Sequence, residues 1–243
     1  MSERRGLTLI LAVAVLPIFW STGCTHPDAQ REVNAGHART DESQGIHFPT
    51  FQEFDALYSQ GGFELHVALE FESEAVYKAT MTMDVPQLNQ QLVDIIRHDE
   101  TGFRDRTFDF LAGDPETVRV LASEDSLHVY RTPFAGGETT LQVQSLSGPI
   151  VDGTLVYWAL GAWNTALPDS AHILTWRMTP AGAEQRSLIF VREKETDQCV
   201  WWKVTGSATL HSCVTDAPPY LIRQEVVMPD GSRNEVLSLM DAD

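Results

Sequence analysis

The stretch Phe63-Glu64-Leu65-His66-Val67-Ala68-Leu69-Glu70-Phe71-Glu72 alternates without a fault: every odd position is large and apolar, and the even positions are mainly charged or polar. Successive side chains of a β-strand point to opposite faces, so this segment has one dry face and one wet face. Ala75 to Met83 repeats the pattern, with Ala75, Tyr77, Ala79, Met81 and Met83 on one side and Lys78, Thr80 and Thr82 on the other. Glu72-Ser73-Glu74 is then the turn of a hairpin. The carboxylates Glu64, Glu70 and Glu72 lie on the wet face with no His or Arg tied to them, which reads as solvated surface rather than as an acid/base set.

Further short blocks of the same kind follow. Phe103 to Leu111, Thr117 to Ala122, Ser126 to Arg131 and Thr139 to Ser145 are separated by Gly113-Asp114-Pro115, Ser123-Glu124-Asp125 and Gly136-Gly137. Ala171 to Met178, Gln185 to Arg192, Cys199 to Thr205, Ala208 to Val214, Tyr220 to Met228 and Arg233 to Met240 continue the series. Pro86 to Gly102 fits both a helix through Leu88, Leu92, Ile95 and Ile96 and a strand over Leu92 to Arg97; the strand is favoured. Short strands with tight turns predict a mainly β domain, a highly curved antiparallel sheet of half-barrel form.

Two segments break the period and predict covering helices. Pro49 to Tyr58 has capping-box spacing at Thr50 and Glu53 and an apolar side of Phe51, Phe54, Leu57 and Tyr58. Gly148 to Asn164 is the stronger: Leu155, Trp158, Ala159, Ala162 and Trp163 fall at helical spacing, and they are the candidate cavity or lid residues. A helix over Thr154 to Asn164 would turn Leu155, Trp158, Ala159 and Ala162 inward and leave Gly161 or Asn164 more exposed. Each Trp of the chain can line such a cavity or simply fill the core.

The N-terminus gives an address. Arg4 and Arg5, the apolar run Leu7 to Trp20 and the small residues Ser21-Thr22-Gly23 before Cys24 make an export signal, too short to span a membrane. Ser21-Thr22-Gly23-Cys24 resembles a bacterial lipobox, although Ser21 stands where that family usually has Leu; a plain secretory peptide is the alternative. The lipobox resemblance implies a signal peptide over 1–23, lipid attachment at Cys24 and an anchored protein of the cell envelope, facing the periplasm from the outer membrane. Residues 24–48 are polar and acidic with almost no large apolar side chain, so they read as a flexible tether; His26, His37 and His47 have no ligand spacing. The single half-barrel domain spans 49–243.

The chain has three cysteines. Acylating Cys24 leaves Cys199 and Cys213, which bracket the turn at Gly206-Ser207 and are expected to form a structural disulfide across it. The formal net charge of −17 argues against nucleic acid and against docking on anionic headgroups by charge.

The lipobox-like start, the run of curved strands, Pro149-Ile150-Val151-Asp152-Gly153 near the middle and the closing Ala217 to Glu225 with Asp230-Gly231 resemble the uncharacterised exported proteins built on the LolA/LolB-like half-barrel. That resemblance implies a concave apolar cavity under one or two helices, and no catalytic motif. The residues also supply none: no Gly-x-Ser-x-Gly, no His-Glu-x-x-His, no phosphate-cradling loop, no cofactor signature. His66, His98, His128, His172 and His211 are isolated and read as surface or satisfied strand histidines. The expectation is a non-enzymatic, lipid-anchored envelope protein holding an apolar ligand or lipidated partner. The alternative is a structural or assembly lipoprotein that meets an envelope protein and has no small-molecule site.

Overall fold

The structure, a computed structural model, describes residues 50–73, 75–85, 90–110, 115–163, 166–179 and 182–240. The signal segment, Cys24 and the tether with His26, His37 and His47 lie outside the described residues, as does Asn164.

The alternating blocks become strands. A first meander comprises β1 (Phe54–Gln60), β2 (Phe63–Ser73), β3 (Val76–Val85), β4 (Gln90–Asp99), β5 (Gly102–Phe110), β6 (Glu116–Ala122), β7 (Ser126–Pro133) and β8 (Thr140–Ser145). A two-residue strand, β9 (Val151–Asp152), and a helix, α1 (Val156–Trp163), follow. The second meander is β10 (Ser170–Thr179), β11 (Gly182–Glu195), β12 (Val200–Thr205), β13 (Thr209–Val214), β14 (Leu221–Val227) and β15 (Arg233–Leu239). All belong to one 15-stranded sheet in the order β8-β7-β6-β5-β4-β3-β2-β1-β15-β14-β13-β12-β11-β10-β9. Neighbours pair antiparallel except β9, which runs parallel to β10.

So long a sheet cannot stay flat, because each strand adds right-handed twist and the bulges sharpen it. Register shifts fall at Phe71/Ser73, Arg97/His98, Arg192/Lys194, Cys213/Val214 and Gln224/Glu225. The sheet rolls up until its ends pass one another. The β9 end lies against β5, where the Phe103 amide donates to the Ile150 carbonyl at 2.9 Å. The β7–β8 end lies over β11: Arg131 donates to the Thr179 carbonyl at 3.0 Å, and the Gln142 side chain fills the space a Cβ would take at Gly182. The expected mainly β, half-barrel-like curved sheet is what the chain forms.

Two local expectations are corrected. Residues 50–58 are not a covering helix: Phe54, Ala56 and Tyr58 alternate with Asp55 and Leu57, and β1 pairs Phe54↔Leu69 with β2 and Tyr58↔Leu239 with β15. Glu53 makes no capping box; its Oε1 accepts from the Phe71 amide at 2.9 Å. Two ladders outweigh a short, marginal helix. Within Gly148 to Asn164, only Val156–Trp163 is helical, and Val151–Asp152 joins the sheet instead. Within the ambiguous Pro86 to Gly102 stretch, Gln90–Asp99 is β4, paired through its length with β3; residues 86–89 lie outside the described residues.

The helix is enclosed on nearly every side. Val156 through Gly161 and Trp163 are all buried, because α1 sits inside the roll among Tyr58, Tyr220 and Leu221. Trp158 is 0% exposed; its Nε1 donates to the Tyr58 hydroxyl at 3.1 Å, and that hydroxyl donates to the Leu221 carbonyl at 2.8 Å. Gly161, expected outside, is buried: a Cβ there would meet the Thr215 oxygen and the Tyr220 Cβ, each at 2.7 Å. Ala162, expected inside, is only partly buried. A helix apolar all round belongs in a core.

Candidate functional site

The helix approach is anchored by a buried ion cluster. Bulging between Arg97 and His98 changes the register of β4 and β5, so that Phe103, Arg106 and Phe108 all turn to the interior although their numbers differ in parity. Arg106 lies between two carboxylates. Its Nε donates to Asp94 Oδ1 at 2.9 Å, and its Nη1 donates to Asp152 Oδ2 and to Thr154 Oγ1, each at 3.1 Å. Its guanidinium also lies over the Phe108 ring at 4.6 Å and the Trp176 ring at 5.7 Å.

Asp152 organises the turn into α1: its Oδ1 accepts from the Thr154 amide at 2.7 Å and from the Leu155 amide at 3.3 Å, an Asx arrangement that satisfies donors ahead of the helix. The Asp152 amide donates to His98 Nε2 at 3.3 Å. Burial holds the His98 imidazole neutral, lowering its pKa to about 3. Burial also raises Asp94, with Arg106 opposing that shift. Burial alone would lower Arg106, but Asp152 and Asp94 outweigh it and hold the guanidinium above its usual range. Two carboxylates and one guanidinium therefore form a structural knot that binds β4, β5 and β9 together.

A second polar group lies where β10, β11, the β12–β13 turn and α1 converge. Arg177 Nε and Nη2 donate to Glu184 Oε2 at 3.1 and 2.9 Å, and its Nη1 donates to Ser207 Oγ at 3.1 Å. Arg186 Nη1 donates to the same Ser207 Oγ at 3.2 Å. The Tyr157 hydroxyl of α1 is close enough for Arg186 to oppose the upward push that burial gives its pKa.

The disulfide is present: Cys199 and Cys213 are joined with Cα atoms 5.5 Å apart. Because Trp201 is the partner of Cys213, the bridge crosses the hairpin diagonally rather than between directly opposed residues. Loop geometry explains the offset, since Thr205↔Thr209 closes a turn centred on Ser207.

The other sequence candidates scatter. Leu155, Trp158, Ala159 and Trp163 meet in the core, Ala162 at its margin. Trp176 and Trp202 are buried; Trp201 is half-buried under Lys194 Nζ at 5.5 Å. Glu64 is exposed, Glu70 pairs with Lys78 and Glu72 with Arg97, all on the wet face. His66 pairs with Asp55 on the surface, His172 is exposed, His128 lies 3.2 Å from Ser126 Oγ, and His211 meets Glu193 at 2.7 Å. Among the described residues no group of three or more His, Cys, Asp or Glu could hold a metal ion, and no helix is long and apolar enough to cross a membrane.

Reading from the sequence did not single out Arg106 or Arg186, named Asp152 only within the Pro149 to Gly153 motif, and gave β8 only as one strand block among others. β8 is the outer end of the sheet, with β7 as its one strand neighbour among the described residues, and with Leu141 54% and Val143 56% exposed and Phe134 exposed.

No protein-family profile matches the chain, and no curated protein is similar to it in sequence. Among solved structures, the chain is similar to a beta-barrel-like protein of a domain of unknown function, DUF1849, from Brucella abortus, with 11% identity over 81% of this chain and 100% of that one and a TM-score of 0.47.

Proposed function

We propose that this chain is an exported, lipid-anchored protein of the cell envelope that works by binding rather than by catalysis, and that β8 is where an extended segment of a partner protein docks. The observation that carries the reading is the state of β8. One edge of its backbone is bonded to β7, no strand among the described residues is hydrogen-bonded to the other, and Leu141 and Val143 hold more than half their surface in water. Natural sheets blunt such edges with charge, proline or a covering loop. Thr140-Leu141-Gln142-Val143-Gln144-Ser145 carries no charge and no proline. Strand addition supplies main-chain hydrogen bonds, and alternate side chains supply specificity.

The rival occupant, an apolar ligand or acyl chain in the concave face, has less in its favour. Leu155, Trp158, Ala159, Leu160 and Trp163 already fill the interior of the roll. A ligand there would have to displace α1 and leave the Trp158–Tyr58–Leu221 hydrogen bonds unmade.

The test is a photo-crosslinking residue at position 141 or 143 of the full chain, expressed in its own host. A discrete protein adduct that disappears in the Leu141→Lys/Val143→Lys variant supports the docking reading. Absence of an adduct at both positions, together with co-purifying lipid in native mass spectrometry, overturns it in favour of the ligand reading. Adducts to a second copy of the chain overturn the hetero-partner and make β8 a self-association edge.

A further inference from the structure

Arg186 is an unbalanced cation in a protein with an excess of acids. The sequence has 34 Asp and Glu against 17 Lys and Arg, and most guanidinium groups elsewhere in the described fold, including those of Arg97, Arg106 and Arg131, are matched to carboxylates. Arg177, Arg192 and Arg223 follow the same rule, meeting Glu184, Glu195 and Glu225. Among the described residues no carboxylate comes within ion-pair distance of Arg186. Its polar neighbours are the Ser207 and Tyr157 hydroxyls, and its buried Nε has no hydrogen-bond acceptor.

The surroundings make that imbalance costly. Arg177 donates to the same Ser207 oxygen, so two guanidinium groups converge on one neutral atom. Only Arg177 is neutralised, by the Glu184 carboxylate. Burial lowers the Arg186 pKa, Arg177 adds to that shift, and Tyr157 with the more distant Glu184 and Asp152 carboxylates opposes it only in part. A partly buried charge is normally paired, and a second like charge beside it adds repulsion.

Glycines border the group on two sides. A Cβ at Gly153 would lie 3.4 Å from Arg186 Nη2, and one at Gly206 would lie 4.0 Å from Nη1. No side chain from either position covers the fork.

We infer that Arg186, with Tyr157 and Ser207, is a recognition site for the oxyanion of a small ligand, a carboxylate or phosphate group. The guanidinium edge formed by Nε and one Nη is planar and presents two parallel donors, the arrangement that receives either group bidentately. Arg177 adds attraction without taking the ligand itself, because its own fork is engaged by Glu184. The site lies at the β10–β11 side of α1 and stands on observations separate from those at β8.

The experiment follows the Arg186 Nε–H cross-peak in ¹H–¹⁵N spectra of the full chain, assigned by its loss in Arg186→Lys. Inorganic phosphate and sodium acetate are titrated separately against a sodium chloride control of equal ionic strength. The expected result is a saturable shift of that cross-peak with phosphate, acetate or both, absent with chloride. A shift with phosphate alone identifies a phosphate ligand, and one with acetate alone a carboxylate ligand. In Arg186→Met, the shifts of backbone amide cross-peaks around Tyr157 and Ser207 should need about 10- to 100-fold more anion, the equivalent of one charge-assisted hydrogen bond. No saturable shift with either anion, or equal shifts at the exposed Arg104, overturns the inference; this readout holds even if Arg186→Met fails to fold.

Discussion

The two ends of the sheet are treated in opposite ways. The β9 end is only two residues long, buried, and stitched to β5 through Phe103, Ile150 and the Arg106–Asp152 pair. The β8 end is six residues long and leaves Leu141 and Val143 in water. One end has been closed with the most expensive interaction in the fold, a buried ion cluster, while the other lacks even a single charged side chain. An aggregation-prone edge is not unavoidable in this architecture, since the chain closes the first one. The openness of β8 is therefore a specific property of that strand.

The largest effect should come from the closed end. Replacing Arg106 by Met leaves Asp94 and Asp152 buried without their cation and should destabilise the fold by about 3–5 kcal/mol in chemical denaturation. A loss below about 1 kcal/mol would mean that β9 is held by its ladder alone, and the contrast between the two ends would shrink to a difference in length.

Acid should sharpen the same contrast. His98 titrates near 6.5 when unfolded and about 3 when folded, so as pH falls below 6.5 the unfolded state takes up the proton first. Its contribution is fully present above pH 6.5 and is lost down to pH 3, at about 1.4 kcal/mol per pH unit. Asp94 has the opposite sign: its raised pKa lets the folded state protonate first, which offsets part of the loss near and above the ordinary carboxylate range. In His98→Gln, stability measured by urea titration should fall less steeply between pH 6 and 5. An unchanged slope would assign the acid limb to another group.

The smallest effect on stability belongs to the open end. Leu141→Lys/Val143→Lys should change unfolding free energy by about 0.5 kcal/mol or less per site, since these side chains are already exposed. The same variant should reduce concentration-dependent association measured by light scattering. A large loss of stability would show that β8 is part of the core and not a docking edge.

Strand period was legible along most of this chain because each strand has one dry face: Leu65, Val67 and Leu69 in β2 or Val118 and Val120 in β6 carry the signal locally. The β1 segment was misread because Phe54, Leu57 and Tyr58 satisfy helical spacing as well as Phe54, Ala56 and Tyr58 satisfy strand spacing. The decision comes from Leu239, about 180 residues away. Arg106 was invisible for a similar reason. In Phe103-Arg104-Asp105-Arg106 it looks like a second wet-face arginine, and only the bulge turns it inward toward Asp152, 46 residues on. Arg186 carries no local mark either, because its imbalance is defined by the carboxylate that is not beside it.

The pairing of β1 with β15 has a kinetic meaning. Each meander is a series of hairpins whose partners are close in sequence, so either half can assemble by local steps with little loop-closure entropy to overcome. Joining the halves is a different matter: Tyr58↔Leu239 and Ser59↔Ser238 connect the first and last described strands. That seam is short, and Trp158, reaching from the segment between the meanders to Tyr58, is the nail that crosses it. During synthesis the first meander emerges with β1 unpaired on its outer side, waiting for the strand that closes the second meander. Until then the first meander is a half-sheet with two open edges, and only the arrival of β15 reduces them to the one that the folded sheet keeps.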